Sequence, residues 1–217
     1  MHDPLRLCVA LVPLAIYALV LGTLNLLRRP YVITAARDTT ALGMAVAGLM
    51  LVGPIELLAP ETAFRNFGPF VWLMLSTLYF LLVTLVVLLQ RPGLVIYNLS
   101  FDEFRTTFAK VIERLEPDPR WAGNTLAMPS LGIELHVESF SPMANIRLSS
   151  VGDHQSLSGW HRLERAMLES VDSIEVRPSP RGVLFLTLAL LLLVTASVSV
   201  LNDTPAFVRS FENLLRH

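Results

Sequence analysis

Four long apolar runs, each nearly free of charge, constrain this chain more than any other feature of it. A bilayer core about 30 Å thick takes roughly 20 helical residues to cross. Residues 7–27, 41–59, 70–89 and 183–201 meet that length. Composition agrees, because only 16% of the 217 residues are charged and 53% are hydrophobic, whereas a soluble domain is about 25% charged. Most of the charge sits between Arg91 and Arg181. The pattern predicts a membrane α-helical bundle with an inserted small α+β domain. Residues 1–90 carry three spans, 91–181 form the soluble insert, and 182–217 carry the fourth span and a short tail.

The first run is too long for the apolar part of a signal peptide, and no small-x-small cleavage site follows it. Arg28 and Arg29 close it, so it is expected to stay as an anchor. The second run is rich in small residues. Gly43 and Ala47 form a small-xxx-small pair and Gly48 follows, a pattern that lets another helix approach closely. Residues 60–69 carry Phe64, Phe67 and Arg65, with Phe70 next. That mixture suits a segment at the membrane interface.

Arg and Lys accumulate near the cytoplasmic ends of spans. With four spans, Arg28, Arg29, Arg37, Arg91, Arg177 and Arg181 fall on one side, and Arg6, Arg65, Arg209 and Arg216 on the other. The expected arrangement is a bacterial cytoplasmic (inner) membrane protein with the insert in the cytoplasm and both termini outside. Cys8 is the sole cysteine, so no intramolecular disulfide can form.

Within the insert, 94–98 reads as a short strand. Ser100 and Glu103 form a capping box, and Phe101, Phe104, Phe108, Val111, Ile112 and Leu115 recur at helical spacing, giving one apolar face. Pro117 and Pro119 end that helix. A turn at Gly123-Asn124 precedes a strand at 125–128. Leu131, Ile133, Leu135 and Val137 alternate with polar residues as a half-buried strand, and 145–151 is its expected hairpin partner. Ser158 is the expected cap of a second helix carrying Trp160, Leu163, Met167, Val171 and Ile174. The expected order is βαβββα: two helices on a mostly antiparallel sheet of about four strands.

The chemistry is sparse. Glu134, His136 and Glu138 share one face of a strand and are the candidate metal ligands. Same-face neighbours along a strand stand roughly 6–7 Å apart, which is poor geometry for one ion, so a solvated face explains them better. Glu56 is the carboxylate inside a span, which makes it the candidate proton or cation site. It follows Gly53-Pro54 and nears Pro60, so the interface is its expected depth. No nucleophile elbow, phosphate loop or zinc-protease motif occurs, and no cofactor is expected. The insert holds 10 basic and 12 acidic residues, so it lacks the basic stripe of a nucleic-acid module.

These features favour a non-catalytic accessory or scaffold subunit. Its partners would be the lipid bilayer and either another membrane protein or a second copy, with the insert as a docking module. A ligand sensor coupled to the bundle, and a small transporter or membrane enzyme acting at Glu56, are the alternatives.

Overall fold

The computed structural model describes residues 4–55, 68, 70–140, 145–172, 174–176 and 178–215. In chain order the elements are α1 (Pro4–Leu26), β1 (Tyr31–Thr34), α2 (Ala35–Met50), α3 (Phe70–Leu89), β2 (Gly93–Tyr97), α4 (Phe101–Leu115), β3 (Arg120–Ala122), β4 (Thr125–Met128), β5 (Ile133–Phe140), β6 (Asn145–Ser150), α5 (Leu157–Val171), α6 (Arg181–Asn202) and α7 (Thr204–Leu215). They fall into two compact units. A helical unit takes Met1–Leu21, Thr40–Leu88 and Leu184–His217; a sheet unit takes Gly22–Thr39 and Leu89–Val183.

Among the described residues, four helices are long and apolar enough to cross a membrane by length and composition: Pro4–Leu26, Ala35–Pro54, Phe70–Leu89 and Arg181–Asn202. The second starts earlier than its apolar run at 41–59 implies. Thr34 ends β1 and its Oγ1 accepts a hydrogen bond from the Arg37 N–H, so the helix is capped directly by the strand before it. A π turn, Leu51–Ile55, follows α2. Pro54 has no N–H to continue the α-helical ladder there.

The helical unit packs through small residues. A Cβ on Gly48 would fall 1.8 Å from the Val9 carbonyl oxygen of α1, and one on Gly43 would fall 2.7 Å from Val83 Cγ1 of α3. The Tyr79 hydroxyl donates to the Gly43 carbonyl at 2.7 Å. Glycine is therefore required where α2 meets its neighbours.

The sheet unit holds a six-stranded antiparallel sheet in the order β1-β2-β6-β5-β4-β3. This corrects the expected four strands. β1 comes from the segment between the first two apolar helices and pairs with β2 from Tyr31↔Tyr97 to Thr34↔Leu94. β3 pairs with β4 around the expected Gly123-Asn124 turn, where Gly123 takes φ +63°, a conformation that suits glycine. α4 and α5 bury Phe104, Phe108, Leu163 and Met167 against Ile96, Leu126, Leu135 and Leu148 in one core.

Two helix details also differ from expectation. Ser156, not Ser158, caps α5, accepting from the Gly159 N–H at 3.2 Å, and the helix ends before Ile174. The short tail after the fourth long apolar helix carries α7, a twelve-residue helix.

Candidate functional site

Among the described residues, an aromatic surface feature lies at the start of α4. The capping box forms as expected: the Ser100 hydroxyl accepts from the Glu103 N–H at 3.4 Å, and the Glu103 carboxylate accepts from the Ser100 N–H at 3.2 Å. Fixing that first turn sets Phe101, Phe104 and Phe108 along one side of the helix. Phe104 and Phe108 enter the core, their rings stacked with centroids 4.8 Å apart. Phe101 stacks on Phe104 at 6.4 Å, and Trp121 of β3 meets Phe108 edge-on at 6.3 Å. The two outer rings are open to solvent, Phe101 at 40% and Trp121 at 52% exposed. The apolar face expected to bury Phe101 therefore leaves it at the surface.

A groove of about 840 Å³ runs along this series, lined by the four aromatic rings, Val137, Asp102, Arg105, Thr106 and Asn124 among others. Strand lengths account for it. β3 and β4 have three and four residues, whereas β5 has eight. The last bond from the hairpin is Val137 N–H to the Asn124 carbonyl at 2.9 Å. Beyond it, β5 pairs with β6 alone, through Glu138↔Arg147 to Phe140↔Asn145. The first turns of α4 thus stand over a sheet that has run out of outer strands.

A second cluster ties Gly22–Thr39 into the same unit. Buried Asn98 takes φ +58° and donates from Nδ2 to the Leu27 carbonyl at 2.7 Å. The Val176 N–H donates to the Arg28 carbonyl at 2.8 Å and the Ser179 N–H to the Asn25 carbonyl at 2.9 Å. The Tyr97 hydroxyl donates to the Asp38 carboxylate, and Arg29 pairs with Asp172 at 3.2 Å on the surface. The end of α1, the start of α2 and the segment leading into α6 are all stitched to one sheet.

Glu116 is a buried carboxylate that motif reasoning missed. Its oxygens accept from the Ser130 hydroxyl at 2.7 Å and the Ser130 N–H at 3.0 Å. The Ser130 hydroxyl bond is the largest influence holding its pKa below the usual carboxylate range, against the opposing effect of burial. It fastens the end of α4 to the turn before β5, which is structural work. An acid at a helix C-terminus is electrostatically unfavourable, and that oddity in the sequence was the available clue to a dedicated partner.

The residues singled out by sequence are placed as follows. Glu134, His136 and Glu138 do share the outer face of β5. His136 Nδ1 lies 3.1 Å from Thr125 Oγ1 on β4, and Glu138 stands opposite Arg147 of β6. Among the described residues, no three His, Cys, Asp or Glu side chains converge to hold a metal ion. Gly43 and Gly48 are spent on contacts inside the chain, and Ala47 is buried. Glu56 lies outside the described residues, as does the aromatic segment at 60–69 apart from Gly68.

Compared with known proteins, the chain matches no family model, no curated protein and no solved structure.

Proposed function

We propose that this chain is a multi-pass protein of a bacterial cytoplasmic membrane. Four spans form a bundle, and the α+β module between the third and fourth is a docking module on the cytoplasmic side. Three features support that frame. The helical unit turns its large apolar side chains outward, as lipid-facing helices do. The pairing of β1 with β2 requires an even number of crossings between Thr34 and Gly93, and α2 and α3 supply two. Arg28, Arg29, Arg37, Arg91 and Arg181 then collect on the side of the module.

The role is that of a non-catalytic accessory subunit of a membrane assembly. The observation that carries it is the aromatic groove, whose exposed Phe101 and Trp121 are the residue types that anchor protein interfaces. The expected occupant is an apolar segment of a partner protein. Its test is gentle purification from native membrane of the wild type and of a Phe101→Ser, Trp121→Ser double variant. A companion polypeptide in fixed ratio should travel with the wild type and be lost from a double variant that melts normally. A wild type that runs as a monomer with no companion sinks the reading.

A ligand sensor is the second reading, favoured by a groove volume within the range of small-molecule sites. Native mass spectrometry showing a bound small molecule instead of a polypeptide would select it. An activity at Glu56 is the third, and loss of phenotype in Glu56→Gln at unchanged expression would establish it.

A further inference from the structure

We propose that α7 is a membrane-surface helix, lying in the headgroup layer at the end of the span formed by α6. The proposal rests on the four-span reading and adds a lipid-binding element to it. α6 runs to Asn202, a single turn residue, Asp203, separates the two helices, and α7 begins at Thr204. Asp203 caps the new helix: its carboxylate accepts from the Ala206 N–H at 3.2 Å and its carbonyl from the Phe207 N–H at 3.1 Å. One residue reaches at most about 3.6 Å, so α7 starts where the span stops.

The helix has the composition such a position calls for. Phe207, Val208 and Phe211 stand at i, i+1 and i+4 on one side, Arg209 lies opposite them, and Glu212 flanks them next to Val208. The Phe207 and Phe211 rings stack with centroids 6.3 Å apart and planes within 7°. The chain leaves Val208 and Phe211 uncovered, at 47% and 46% exposed. A stable protein interface buries roughly 800 Å² on each partner, more than three turns with these few apolar side chains present. A bilayer surface needs no such area in one patch, and continuity with the span already puts it beside the helix.

Spin labelling tests this in the full chain reconstituted in phosphatidylcholine–phosphatidylglycerol vesicles, in a Cys8→Ser background. Labels go on Phe211→Cys, Arg209→Cys and, within α6, Leu190→Cys, which is 62% exposed. The ratio of collisions with oxygen to collisions with a water-soluble nickel complex should be severalfold higher at 211 than at 209. Equal ratios overturn the proposal, whether both labels are wet, as on a free helix, or both shielded, as under protein. Val208→Cys provides a second lipid-side position if Phe211→Cys does not fold. A lipid-accessible label at 190 with equal ratios at 211 and 209 sinks the surface helix alone. A water-accessible label at 190 sinks the four-span reading and the surface helix with it.

Discussion

The two units bury opposite kinds of side chain. Among the described residues of the helical unit, the buried apolar side chains are seven alanines and one valine, while leucines and phenylalanines face outward. In the sheet unit the fully buried side chains are large, headed by Phe104, Phe108, Leu94 and Ile96. The difference fits the proposal that the two units face different solvents. In water, large apolar groups are driven inside at roughly 25 cal/mol per Å². In hydrocarbon that drive vanishes and close backbone approach takes over, so the smallest residues go inside.

The largest expected effect tests close approach. Gly48→Val would drive a side chain into the Val9 carbonyl, and because that neighbour is backbone the helices must separate. Overpacking costs about 1–3 kcal/mol where neighbours can adjust and occasionally more; against backbone 1.8 Å away the loss should be of the larger kind and abolish the yield of monodisperse protein. Gly53→Ala meets nothing within 4 Å and should elute as the wild type does in detergent.

Next comes a matched pair. Phe104→Ala should destabilise the sheet unit by about 3–5 kcal/mol, read as a lower midpoint of the near-ultraviolet circular dichroism transition. Leu190→Ala, on the outward face of α6, should stay within about 0.5 kcal/mol. Equal costs at the two positions would break the comparison, because they would make the outer face of α6 a protein core.

A smaller effect belongs to Asn98. Its left-handed backbone costs other L-residues about 1–2 kcal/mol, and its side-chain bond to Leu27 contributes about 1 kcal/mol more. Asn98→Gly should recover part of the stability that Asn98→Ala loses, as judged by melting temperature.

The mildest effect is a pH dependence. The folded pKa of Glu116 is depressed, so its contribution is complete above the ordinary carboxylate pKa. It is lost as pH falls through the depressed folded value. Acid titration of the melting temperature should therefore show a descending limb that flattens in Glu116→Gln.

How much of this was legible beforehand follows from which signals are local. The capping box at Ser100 and Glu103 and the alternation of Ile133, Leu135 and Val137 are complete within a few residues and fold as their patterns imply, whereas Leu131, expected in the same strand, lies in the turn before it. β1 is four residues wedged between Pro30 and an apolar run, and its partner β2 lies far along the chain. Tyr31, Val32, Ile33 and Thr34 are all residue types that favour strands, but a run of four beside a stronger apolar signal, with no partner nearby, reads as part of a loop. β3 has only three residues and no period to detect. The groove was illegible for a related reason: Phe101 has the spacing of a core residue, and only the shortness of the β3–β4 hairpin leaves it uncovered. α7 was the missed opportunity, since the Asp203 cap and the spacing of Phe207, Val208 and Phe211 are all in the sequence, in the shadow of the stronger run before them.

The provenance of β1 has a practical corollary for anyone wishing to produce the water-facing portion by itself. An expression fragment cut at Arg91 leaves its missing border strand behind, and the bared flank of β2 becomes a template on which copies stack. On the four-span reading, synthesis meets the same gap: Tyr31–Thr34 emerges and waits, through the threading of two greasy helices, before Gly93–Tyr97 arrives to receive it. Closing so long a loop adds only a few kcal/mol of entropic cost, but on that reading it ties maturation of the aqueous half to prior insertion of the oily half.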